Sequence, residues 1–99
     1  MVYLLAISTV HRKNNYSALF DDLRTAGPSL HLFRDVWLIS TSQSPQMLAE
    51  RLNPYLVRDG FLDDCILITK LGADYDGILP PEAEEWLEAE RNAGSLIVD

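Results

Sequence analysis

The segment that most constrains the fold is the apolar run VYLLAIS at residues 2–8. It is rich in strand-forming side chains and is followed by the polar stretch 11–15, so it predicts a central β-strand. A strand with one face in water would alternate apolar and polar residues. This run is apolar on both of its faces. Whatever the fold, both faces of this strand have to be covered.

Periodicity and turn residues predict the remaining elements. Tyr16, Leu19, Phe20 and Leu23 form an apolar stripe of helical period. Ser44-Pro45 is typical of a helix start, and Pro54 predicts that this helix ends near Asn53. The expected elements, in chain order, are a strand at 2–8, a helix from about 16 that stops at Gly27-Pro28, strands within 29–33 and 35–41, a helix from 45 to about 53, a strand at 65–71, a helix from about 80 to 92 and a short strand at 95–99.

This order predicts a single domain over residues 1–99 of the α+β class. The plan is ferredoxin-like, βαββαβ, with an antiparallel four-stranded sheet, two helices on one face, and an additional C-terminal helix and short strand. Two helices leave the second sheet face bare, and an exposed apolar face usually marks an interface. We therefore expect a homodimer through the sheet face, with residues 95–99 adding a strand across it. The alternative is that the third helix folds back on that face through Trp86 and Leu87.

Charge limits the choice of partners. The 99-residue chain has 15 acidic and 8 basic residues and a net charge of -7, so most of its surface repels phosphate backbones. His11, Arg12 and Lys13 form a local basic patch just before a predicted helix N-terminus, where anions are favoured. They are the candidate residues for weak nucleic-acid or anion binding. The alternative is a solvated loop.

No catalytic residue, metal site or cofactor is expected from local motifs. Cys65 lies in an apolar run and is expected to be a buried, inert thiol; a single thiol makes no internal disulfide and suits the cytoplasm. The run at residues 2–8 is too short to span a membrane. His31 has no second histidine or cysteine nearby and is a poor metal-ligand candidate.

The acidic residues are expected to be structural or solvated. Asp74 and Asp76 lie in the segment GADYDG, which lacks the spacing of a calcium-binding loop and is typical of a turn. The glutamates of the third predicted helix are most simply a solvated acidic face. The alternative is that they meet a basic protein partner.

Three blocks of the chain resemble a known family. VWLISTSQSPQMLAERLNPYL, DDCILITKL and GILPPEAEEWLE are similar to the corresponding blocks of small bacterial SinR-like proteins. Those proteins are similar in turn to the CRISPR-associated spacer-acquisition subunit and to VapD-type toxins. The resemblance implies a ferredoxin-like fold, a homodimer built through the sheet faces and, in some relatives, metal-dependent cleavage of RNA or DNA.

Cleavage in those relatives depends on an aspartate at the end of the first strand, where symmetry-related carboxylates hold a divalent cation. The equivalent position here falls at Thr9 or Val10, and neither side chain can anchor such an ion. The leading hypothesis is therefore a non-catalytic homodimeric binding or assembly module. The alternative is a metal-dependent endonuclease or VapD-like endoribonuclease whose carboxylates come from Asp35, Asp74 or Asp76.

Overall fold

A computed structural model describes residues 1–8, 16–58, 61–62 and 64–96. Its elements, in chain order, are β1 (Val2–Ile7), α1 (Tyr16–Ala26), β2 (Ser29–Phe33), β3 (Val36–Ser40), α2 (Pro45–Leu56), β4 (Val57–Arg58), β5 (Phe61–Leu62), β6 (Ile66–Leu71) and α3 (Pro81–Asn92). The described chain is thus of the α+β class, with three helices and an open, four-stranded antiparallel sheet.

The order of strands in this sheet is β2-β3-β1-β6, so β1 and β3 are the inner strands. The register pairs Leu5 of β1 with Trp37 on one side and with Ile68 on the other. All three strand pairs are antiparallel. The small β4–β5 hairpin is a separate two-stranded sheet, which the sequence did not predict. It flanks residues 59–60, which lie outside the described part of the chain.

The main core lies between the first face of the sheet and helices α1 and α2. Side chains of β1 and β3 meet the apolar stripes of the two helices there; the buried members are Tyr3, Leu5, Ile7, Leu19, Leu23, Trp37, Ile39, Leu48, Leu52 and Leu56. Each fully buried leucine of this kind contributes about 1.5–3 kcal/mol relative to an exposed one. This face is covered as the periodicity predicted.

The prediction that the second sheet face is bare is wrong. Residues 72–80 and helix α3 lie on it, and α3 contacts β2. Leu38, which points to this face from β3, is 1% exposed, and Leu87 of α3 is 3% exposed. The chain therefore covers this face itself, because α3 places Ala83 and Leu87, spaced four residues apart, on the side that meets the sheet. Trp86 is only half-buried.

Helix α2 begins as expected but ends later. The Ser44 hydroxyl accepts a hydrogen bond from the Met47 N–H at 3.1 Å, which makes Ser44 the N-cap, and Pro45 follows it. The expected end near Asn53 is wrong, since the helix continues through Pro54 to Leu56. Burial of Leu56 in the core offsets the hydrogen bond that proline cannot donate.

The exposure of two residues follows from their positions in the fold. Met47 is exposed, because its position lies one step off the stripe that contains Leu48 and Leu52. Cys65 is exposed and not buried. It directly precedes β6, which lies at the edge of the sheet rather than inside it.

Gly27 allows a close approach between the end of α1 and β3. A Cβ atom at Gly27 would lie 2.0 Å from the Ser40 carbonyl oxygen, so only glycine allows the end of α1 to pass this close to β3.

At the C-terminus, Ser95 and Leu96 are not in a strand, which contradicts the predicted strand over these two residues. The remaining part of that prediction, residues 97–99, lies outside the described residues.

We predict that Leu87→Ala lowers the free energy of unfolding by about 2 to 5 kcal/mol, because it opens a cavity between α3 and the sheet. Glu85→Ala, on the exposed side of the same helix, is the matched control and should change it by less than about 0.5 kcal/mol. Urea unfolding of both variants followed by circular dichroism measures the difference. Equal stability of the two variants would mean that α3 does not cover the sheet.

Candidate binding surface

An apolar groove remains on the second sheet face, where the cover by residues 72–80 and α3 is incomplete. Its floor is formed by leucines of all four strands of the sheet: Leu4, Leu32, Leu38 and Leu71. Leu79 and Leu87 close one side of it. The cavity has a volume of about 320 Å³. Such a volume is at the lower end of the range for ligand or side-chain pockets.

Two large apolar residues at the groove are exposed to solvent. Phe33, at the end of β2, is 51% exposed, and Ile78, in the segment over the sheet, is 104% exposed. Exposure of these two side chains to water has a free-energy cost, which burial in an interface would remove. Apolar side chains grouped around a groove are typical of an interaction site, whereas a single exposed leucine or isoleucine needs no explanation.

An acidic hollow beside α3 adjoins the groove. Tyr75, Asp76, Leu79 and Leu87 line both cavities, so the two are neighbours. The hollow has a volume of about 330 Å³ and is flanked by Glu84 and Glu88, which lie one turn apart on α3. The Asp76 carboxylate accepts a hydrogen bond from the Gly77 N–H at 2.8 Å.

Arg91 is the one basic residue among the described residues that line this hollow. Its guanidinium carbon lies 5.4 Å from the centre of the Tyr75 ring, a cation–π distance. Three carboxylates, those of Asp76, Glu84 and Glu88, share the hollow with this single cation. The local charge is therefore negative, in agreement with the net charge of the whole chain.

The outer edge of β6 is a second candidate surface. The Ser8 N–H donates to the Cys65 carbonyl, so the register directs the backbone groups of residues 65, 67, 69 and 71 toward β1. Those of Ile66, Ile68 and Lys70 point away from the sheet. Among the described residues no strand pairs with this edge. Leu67, beside it on the second sheet face, is 67% exposed.

An aromatic cluster lies on the first sheet face near the opposite edge. Trp37 stacks on Phe20 of α1 and on His31 of β2, with ring centres 4.6 and 4.7 Å apart. The Arg24 guanidinium lies 5.4 Å from the Trp37 ring. His31 Nε2 donates to the Arg34 carbonyl, which can only accept. These contacts give His31, on the edge strand β2, a packing role there.

The basic patch predicted from sequence cannot be placed. His11, Arg12 and Lys13 lie outside the described residues, as do Thr9 and Val10, the positions considered above for a metal-binding aspartate. The described neighbours of this segment are Ser8, bonded to the Cys65 carbonyl, and Tyr16, where α1 begins.

The alternative carboxylates are placed on different elements. Asp35 lies in the β2–β3 turn, where its carbonyl accepts a hydrogen bond from the Ile7 N–H at 2.8 Å. Asp74 and Asp76 lie in the segment that crosses the second sheet face. Within residues 1–8, 16–58, 61–62 and 64–96, no three histidine, cysteine, aspartate or glutamate side chains form a group that could hold a metal ion.

Comparison with known proteins gave no match: no family model, curated protein or solved structure is significantly similar to this chain. In the described part of the chain, none of the helices has the length and apolar character needed to cross a bilayer.

Sequence reasoning missed the groove. Phe33 and Ile78 are far apart in the chain, and only the fold brings them to one surface. The available signal was the apolar pair Ile78-Leu79, which stands between turn residues and two prolines.

We predict that a double Arg12→Ala, Lys13→Ala variant binds short single-stranded RNA and DNA less tightly at low salt than the unmodified chain does, and with a shallower salt dependence. Arg24→Ala with Lys70→Ala removes the same charge elsewhere and serves as the control. Fluorescence anisotropy over a salt series measures both. Equal affinity of the two double variants would remove the specific role of the basic segment.

Proposed function

We propose that this protein is a non-catalytic, homodimeric binding or assembly module with a ferredoxin-like βαββαβ topology, related to the SinR-like proteins. The strand order β2-β3-β1-β6 and the antiparallel direction of every neighbouring pair support the topology. Placement of α1 and α2 on one face supports it as well. Helix α3 is then an addition that occupies the second face.

In the proposed dimer, the two copies meet along the outer edge of β6. The observation that carries the proposal is that no described strand pairs with this edge. Because α3 and residues 72–80 occupy much of the second sheet face, that face is no longer the best contact for a second copy. The edge of β6 is six residues long, largely apolar and unpaired within the described chain. An edge strand of this kind is a template for pairing with another strand.

One register uses every outward-pointing backbone group of this edge. Two copies of β6 paired in antiparallel fashion about Ile68 place Ile68 opposite its own copy and Ile66 opposite Lys70 of the second copy. A two-fold axis relates the two strands, as in most homodimers. Exposed Leu67 then lies opposite Thr69 of the second copy, which reduces its contact with water. The two sheets join into one.

The non-catalytic part of the proposal rests on the sequence: Thr9 or Val10 stands at the position where the proposed relatives carry the metal-binding aspartate. Asp35, Asp74 and Asp76 are the carboxylates of the nuclease alternative. Cleavage of RNA or DNA by the purified chain that requires Mg²⁺ or Mn²⁺ and is lost in Asp35→Ala, Asp74→Ala or Asp76→Ala would contradict this part of the proposal.

We predict that Lys70→Pro converts the dimer into a monomer. Proline removes the outward Lys70 N–H and blocks strand addition, while the bonds from β6 to β1 do not use that group. Lys70→Ala keeps the N–H and is the matched control, which should remain dimeric. Light scattering at micromolar concentrations measures the mass of each variant.

Circular dichroism and thermal unfolding of Lys70→Pro establish that the monomer is folded. The dimer proposal fails if the unmodified chain has the mass of a monomer. The β6 edge is the wrong contact if Lys70→Pro remains as dimeric as Lys70→Ala.

A further inference from the structure

The apolar groove and the acidic hollow adjoin each other and differ in chemical character. The groove offers leucine side chains with Phe33 and Ile78 at its margin. The hollow adds the carboxylates of Asp76, Glu84 and Glu88. Neither the edge of β6 nor the aromatic cluster around Trp37 combines exposed apolar side chains with a net negative charge.

We propose that this surface binds a short cationic amphipathic segment of a partner protein, with apolar anchors in the groove and lysine or arginine beside α3. The proposal rests on the proposed role as a binding module but not on the proposed dimer. A helix with apolar residues at i, i+3 or i+4, and i+7 presents a stripe of the kind that docks in apolar grooves. Its basic residues then pair with the carboxylates at the rim.

Charge complementarity decides in favour of this occupant. A second copy of the chain has a net charge of -7, so its approach to an already acidic rim is opposed by like-charge repulsion. An anionic lipid surface is repelled for the same reason. A cationic segment instead is attracted, and its arrival is accelerated by the field of the acidic chain. The apolar anchors then supply affinity that charge alone does not.

The two exposed apolar residues are the expected anchoring points. Ile78 is fully exposed in the free chain, so its burial in a complex gains free energy without disturbing a core contact. Glu84 and Glu88 are exposed on α3 and are not involved in a described salt bridge. They are free to pair with a partner's cations, and pairs at the rim affect association rate and salt dependence most.

The test uses three labelled synthetic peptides of equal length. The first has leucines on one helical face and lysines on the other; the second replaces each lysine with glutamate; the third has the composition of the first in scrambled order. Fluorescence anisotropy with the full chain at low and high salt measures the affinities. We expect the first peptide to bind about tenfold more tightly than the scrambled one, since only the ordered stripe fits the groove.

Matched variants locate the binding site. Ile78→Ser should weaken binding of the first peptide several-fold. Met47→Ser makes the same kind of change, from a large exposed apolar residue to serine, on α2 and should leave binding unchanged. Glu84→Gln with Glu88→Gln should weaken binding and flatten its salt dependence. Glu82→Gln with Glu90→Gln removes the same charge from α3 outside the hollow and is the control.

Any of the following three results would overturn the proposal. Equal binding of the ordered and scrambled peptides would show non-specific attraction to an acidic protein. Unchanged binding in Ile78→Ser would place the site elsewhere. Loss of self-association in Ile78→Ser would identify a second copy as the occupant. Failure of the dimer proposal is distinguished from these results, because Lys70→Pro should bind the first peptide as tightly as the unmodified chain.

Discussion

The fold depends on one constraint: strand β1 is apolar on both faces and must be buried on both. The first face packs against α1 and α2, and Leu5 and Ile7 are almost completely buried there. On the second face, Leu38 and Val2 are equally buried, because residues 72–80 and α3 lie over the sheet. Because α3 covers the second sheet face within the same chain, less apolar surface is left for a partner to bury. It also determines which surfaces are left.

The surfaces left by this arrangement are the edge of β6 and the incompletely covered groove. The edge offers backbone hydrogen bonds with little net charge, which suits pairing between identical strands. The groove offers apolar contacts beside carboxylates, which suits a cationic partner. The two surfaces therefore differ in the kind of molecule that they recognise. One chain of this size can use both at once.

The sequence predicted the main core well, because α1, β1 and α2 carry apolar patterns of the correct period. It failed where the decision depended on tertiary contacts. Helix α3 shows only Ala83 and Leu87 as a buried stripe among glutamates, which is hard to distinguish from an exposed helix. Pro54 was overridden by packing of Leu56, and the exposure of Cys65 follows from an edge position that periodicity does not reveal.

The central claim is that each chain covers the second face of its own sheet. Isotope-filtered NOE spectra of a mixture of labelled and unlabelled chains test it directly, since they separate contacts within a chain from contacts between copies. We predict NOEs between methyl groups of Leu87 and those of Leu38 or Leu4 within one chain. If these contacts appeared only between different chains, or were absent, α3 would not cover the sheet of its own chain.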